Sequence, residues 1–99
     1  MNIEDQLERF REEKFSHLSA EEHLASVNDS IEKYRQIHIS FAYQEKTPSR
    51  KFLQNAELFL AEEALKKGCL YVTNLDYVQY RHTVRNGQVI IVGRGLIKK

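Results

Sequence analysis

"QIHISFAY", residues Gln36 to Tyr43, decides what kind of fold this chain takes. Ile37, Ile39, Phe41 and Tyr43 alternate with Gln36, His38, Ser40 and Ala42, the period of a half-buried strand. The same stretch also extends a helical seam. Leu24, Val27, Ile31, Tyr34, His38 and Phe41 follow one another at spacings of three and four, which keeps them on one helix face. Because the seam runs unbroken, the reading favours a helix to about Tyr43, with strand as its competitor. Asn28-Asp29-Ser30 is the weak patch in that helix, since all three side chains compete for backbone hydrogen bonds.

Upstream, Ser19-Ala20-Glu21-Glu22 is a capping box that starts this helix. A shorter helix precedes it, over roughly Asn2 to Lys14. Asn2 caps it, Glu4 and Asp5 suit its positive end, and Ile3, Leu7 and Phe10 share a face. Downstream, Thr47 reads as an N-cap and Pro48 as the first residue of a third helix. Leu53, Ala56, Leu60 and Ala64 line its face, and Lys66-Lys67-Gly68 ends it.

Past Gly68 the period changes to two. Leu70 to Thr73 reads as a short strand and Asn74-Leu75-Asp76 as a turn. Tyr77 to Leu96 then reads as a hairpin turned at Asn86-Gly87, a pair that accepts the positive φ of a type I′ turn. That turn sets Arg85 opposite Gln88 and Tyr80 opposite Gly93. One face, with Val78, Tyr80, His82, Val84, Val89 and Ile91, belongs against the helices; Tyr80 lies across the gap at Gly93. The other face carries Gln79, Arg81, Thr83, Arg85, Gln88 and Arg94.

The expected fold is therefore α+β, one domain over residues 1–99. Residues 2–68 are helical, the second and third helices pack as an antiparallel pair, and a hairpin over 77–96 covers them. An isolated hairpin is marginal in water, so this one must pack on the helices or pair with another chain, which raises a homodimer.

Charge narrows the functional classes. The 99 residues carry a net +1, but Tyr77 to Lys99 holds five basic side chains (Arg81, Arg85, Arg94, Lys98, Lys99) and no acid. The other 76 residues hold ten basic and fourteen acidic side chains. The lone Cys69 leaves no internal disulfide and fits a reducing compartment. The acidic start has no signal-peptide pattern, and the longest aliphatic run, Val89 to Val92, is too short to span a bilayer. Cytoplasmic residence without a membrane partner is the expectation.

Catalytic and metal chemistry find little support. His17, His23, His38 and His82 never pair at ligand spacing, and Cys69 follows a helix end, where its pKa is not lowered. His38 on the seam reads as an interior histidine. Gly93-Arg94-Gly95 is not followed by a helix and is no phosphate loop. No cofactor, no metal and no enzymatic activity are expected. The leading expectation is a protein-interaction module, an adaptor or regulator. Its alternative is a nucleic-acid-binding regulator that uses Gln79, Arg81, Thr83, Arg85 and Arg94 on the ribbon face with Lys98 and Lys99 beside them. Tyr71, Tyr77 and Tyr80 could stack on bases or form an interface hot spot, or pack on the helices as good strand formers; the reading favours core and interface.

Overall fold

The computed structural model describes residues 2–99. The elements run α1 (Ile3–Lys14), α2 (Ala20–Ser26), a 3-10 turn (Ile31–Lys33), β1 (Tyr34–Glu45), α3 (Phe52–Lys66), β2 (Tyr71–His82) and β3 (Gly87–Lys98). The fold is α+β: three helices and an antiparallel sheet of order β1-β3-β2. Among the described residues no helix is long and apolar enough to cross a membrane.

Helix α1 starts where its sequence says, with the Asp5 amide donating to Asn2 Oδ1 at 2.8 Å. Its Leu7 and Phe10 are buried, while Ile3 is exposed. Half of the capping box forms too: the Glu22 amide donates to Ser19 Oγ at 3.2 Å, while the Glu22 carboxylate accepts from the Ser19 hydroxyl at 2.9 Å instead of from its amide. Helix α3 buries Ala56, Leu60 and Ala64, and Gly68 takes the left-handed cap at φ 81°.

The stretch Gln36–Tyr43 is a strand, not the continuation of a helix. Helix α2 stops at Ser26, because Asn28 turns left-handed at φ 57° and the Asp29 amide closes back on the Leu24 carbonyl at 2.8 Å. The Asp29 carboxylate then accepts from the Ser30 amide and the Tyr34 hydroxyl. What reads as a weak patch inside a helix is its end. Beyond it the alternating residues pair with β3 without interruption, from Tyr34 opposite Lys98 to Glu45 opposite Gly87. Residues 2–68 are thus only partly helical.

The expected antiparallel pair of second and third helices is absent as well. Helices α1 and α3 share one face of the sheet, against Ile39, Val72, Val89 and Ile91. Helix α2 covers one end of the opposite face, where Ala20 and Leu24 meet Tyr34 and Leu96. Full burial of a side chain such as Leu24 or Leu60 contributes about 1.5–3 kcal/mol. These two small cores hold the sheet from both sides.

The C-terminal ribbon also departs from its expected register. Its turn is Thr83 to Asn86, closed by the Thr83 amide on the Asn86 carbonyl at 2.7 Å and by the Asn86 amide on Thr83 Oγ1 at 3.0 Å. Among the described residues left-handed backbone occurs at Asn28, Gly68 and Asn74, not at Asn86 or Gly87. Arg81, not Arg85, therefore lies opposite Gln88, and Tyr80 opposite Val89 rather than Gly93. Gly87 serves close packing: a Cβ there would sit 2.7 Å from Pro48 and 3.0 Å from Phe52. The slip is even, so β3 keeps its expected faces.

Two further boundaries move. Asn74-Leu75 is a bulge inside one long strand instead of a turn; the Asn74 and Leu75 amides donate to the Leu18 and Ser16 carbonyls. Helix α3 begins at Phe52, with Lys51 in the cap position and no side-chain cap, so Thr47 and Pro48 stay in the preceding turn. Pro48 is drawn over Gly87, and the Ser49 amide donates to Glu45 Oε2 at 3.2 Å, which ties that turn back to the end of β1.

Candidate nucleic-acid interface

Because Glu45 and His82 both lie opposite Gly87, the turn after β1 and the turn after β2 emerge at the same end of the sheet. Together with the end of β2 they carry Lys46, Arg50, Lys51, Arg81 and Arg85, all exposed. Among the described residues none of the five lies within ion-pair distance of a carboxylate. The nearest acids are occupied. Glu45 accepts from the Tyr43 hydroxyl and the Ser49 amide, and Glu8 is held by Arg11 at 2.6 Å and by Gln54. Arg11 accordingly holds the Glu8 carboxyl below the usual range. The uncapped N-terminus of α3 points its positive dipole end here too.

On the outer sheet face this end opens into a groove of about 610 Å³, lined by Gln44, Lys46, Arg81, Thr83, Asn86 and Gln88. Gln79 Nε2 donates to Gln88 Oε1 at 3.2 Å, which orders the amides along its floor. On the helix side of the same end, Tyr80 and His82 stack 6.2 Å apart at 9°, both against the buried Phe52. Tyr80 remains 49% exposed, so its ring is open to a flat ligand. Cations on a rim, amides in a groove and an exposed ring are the groups that meet phosphates, base edges and base faces.

The residues singled out from sequence do not form one patch. Gln79, Arg81 and Arg85 belong to the basic end. Thr83 is consumed by its turn, since its hydroxyl both donates to and accepts from Asn86. Arg94 lies about 20 Å farther along β3 than Gln88 at the rise of a strand, and donates to Gln36 Oε1 at 3.1 Å. Lys98 and Lys99 lie farther still, where the Lys99 amide donates to the Lys33 carbonyl. Between the two groups the outer face carries Ser40, Ile90, Val92 and Asp76. Lys46, Arg50 and Lys51 were missed. Three cations around Pro48 were visible in the sequence, but only a strand at 34–45 brings them beside the ribbon.

The other chemistry-bearing groups lie apart. Cys69 is buried beneath Gly95, and burial pushes its thiol up. It is about 27 Å along the sheet from His82, opposite Gly87. His38 is exposed on the outer face, not interior. Tyr77 donates to Glu57 Oε2 at 2.6 Å, and burial and that carboxylate both raise its pKa. Arg11 also reaches Glu57, so this polar cluster ties α1, α3 and β2 together. Among the described residues no three of His, Cys, Asp and Glu gather as a metal-binding set.

No protein-family model matches this chain, and neither the curated proteins nor the solved structures yield a match.

Proposed function

We propose that the chain is a non-catalytic, nucleic-acid-binding regulator that grips a phosphate backbone with the basic end of its sheet. One observation carries the reading: five exposed cations, four from two separate turns and Arg81 from the end of β2, converge there, and among the described residues none has an ion-pair partner. The polar groove supplies amides for positioning, and Tyr80 offers a stacking surface that suits a single strand.

The test is a mobility-shift titration against single-stranded and duplex DNA over a salt series. Each phosphate contact contributes a slope of about −0.9 on duplex DNA and about −0.7 on single strands. Arg81→Ala/Arg85→Ala and Lys46→Ala/Lys51→Ala should each lower the slope by about two contacts, whereas Arg94→Ala/Lys98→Ala should leave it unchanged. Tyr80→Ala should weaken single-strand binding by about 1–3 kcal/mol and duplex binding less. Absence of binding at low salt, or binding indifferent to both basic-end pairs, rejects the proposal.

A second reading, an adaptor that binds another protein, is favoured by the free edge of β1. Capture from lysate with and without nuclease separates the two: under the first reading the bound material is nucleic acid and nuclease removes it, and under the second a bound protein persists through the treatment.

A further inference from the structure

Strand β1 pairs with β3 on one side and, among the described residues, with no strand on the other. The opposite edge of the sheet is managed differently. Along β2, the segment after α1 forms a parallel bridge from Phe15 to Val72, and the Ser16 amide donates to the Val72 carbonyl at 2.9 Å. Among the described residues no backbone hydrogen bond from another segment reaches the outer side of β1. The usual protections of an edge, a proline, a bulge or a short strand, are missing too. Its pairing with β3 is unbroken over 12 residues.

The ladder tells which backbone groups face outward. The Lys99 amide donates to the Lys33 carbonyl, so odd-numbered positions address β3. In an antiparallel ladder residues alternate in the neighbour they address. Gln36, His38, Ser40, Ala42 and Gln44 therefore turn both backbone groups toward the open edge.

We infer that two copies of the chain join along β1, antiparallel, about a two-fold axis at Ser40, into a continuous six-stranded sheet. The sequence of β1 is self-complementary in that register. Ser40 meets its own counterpart, His38 opposes Ala42 and Gln36 opposes Gln44, and each opposed pair exchanges two hydrogen bonds. On the helix side Ile39 opposes Phe41, Ile37 opposes Tyr43, and Arg35 opposes Glu45. Moving the axis to His38 sets Arg35 across from Phe41, and moving it to Ala42 sets Glu45 across from Ile39. Both lose the charge pairing. Beside the edge, Phe59 is 43% exposed and stacks on Phe41 and Tyr43 with centroids 5.4 Å away, so the aromatic surface extends to the seam.

Sedimentation equilibrium of the full chain at micromolar concentration should give the dimer mass. Ser40→Pro removes an outward amide at the axis and none directed at β3, so it should give a monomer with an unchanged far-ultraviolet spectrum. Arg35→Glu and Glu45→Arg each oppose like charges twice per dimer and should each weaken association roughly tenfold. Mixing the two single variants should restore dimers, and so should combining both changes in one chain. A monomeric wild type, a Ser40→Pro dimer, or charge variants that do not recombine would overturn the inference. Nucleic-acid binding by the basic end is read separately, so either proposal can fail alone.

Discussion

Gly95 lies where three segments come within contact of one another. A Cβ placed there would lie 2.5 Å from the Cys69 sulfur and 3.2 Å from Ile37 Cγ1. Its backbone is not left-handed, so the constraint is steric and comes from the core beneath it. Gly95→Ala should cost about 1–3 kcal/mol by overpacking. Cys69→Ala vacates the closest contact, so the double variant should be more stable than the sum of the singles by about 0.5–3 kcal/mol. Urea titrations of the four proteins measure that coupling, and strict additivity would show that the sulfur is not what excludes the methyl. The same residue-scale logic explains the misplaced turn. Asn86-Gly87 carries a strong local preference for positive φ, but Gly87 is needed where Pro48 and Phe52 close over the sheet. A packing demand from 35 or more residues away is invisible to any dipeptide signal. Caps depend only on near neighbours, and the Asn2, Ser19 and Gly68 caps were legible for that reason.

Helix α2 shows how an element can be recognised and still be given the wrong length. Its start was legible in the capping box, whereas its seam continued through residues that belong to β1. Spacings of three and four recur by chance in an alternating strand, and only pairing with β3 decides between the two periods. Once shortened, α2 holds the second face of the sheet with Ala20, His23 and Leu24. His23 packs edge-on to Tyr71 at 4.7 Å, and its buried Nε2 has no hydrogen-bond partner. Lys14 stands on the same tyrosine, 5.1 Å from its ring centroid. Burial first, then the Lys14 charge, hold the imidazole below its usual value of 6.5. The neutral ring is the form that folds. As pH falls through about 6.5 the unfolded chain takes up the proton first, so stability is complete above that value and declines below it. Melting temperatures recorded from about pH 7.5 to about pH 5.5 should fall for the wild type and fall less for His23→Phe. Parallel curves would show that α2 carries no such sensitivity.

At the scale of the molecule, 45 Å in its longest dimension, the distribution of charge was only half legible. The basic tail from Tyr77 was plain in the sequence, but a strand spreads its residues, and β3 sends Arg94 and Lys98 away from Arg81. Cations from 46–51 replace them, through a strand that the sequence left contested. The general class, helices with an antiparallel ribbon, followed from local periodicity; the sheet order did not, because it rests on β1 and β3, separated by α3 and β2. That order also governs how the protein is made. Strands β1 and β2 never pair with each other, and the strand between them is the last of the three. A chain ending at Asn86 should therefore show no cooperative melt, and a synthetic peptide of Gly87–Lys98 should restore one; a cooperative transition in the truncated chain alone would contradict this. During translation at about 5–20 residues per second, β1 waits roughly 2–8 s after leaving the ribosome's active site before the first residue of its partner is added. For that interval β1 keeps its apolar face without the strand that covers its edge, so the yield in a cell should depend on chaperone capacity and elongation speed more than on the stability of the finished fold.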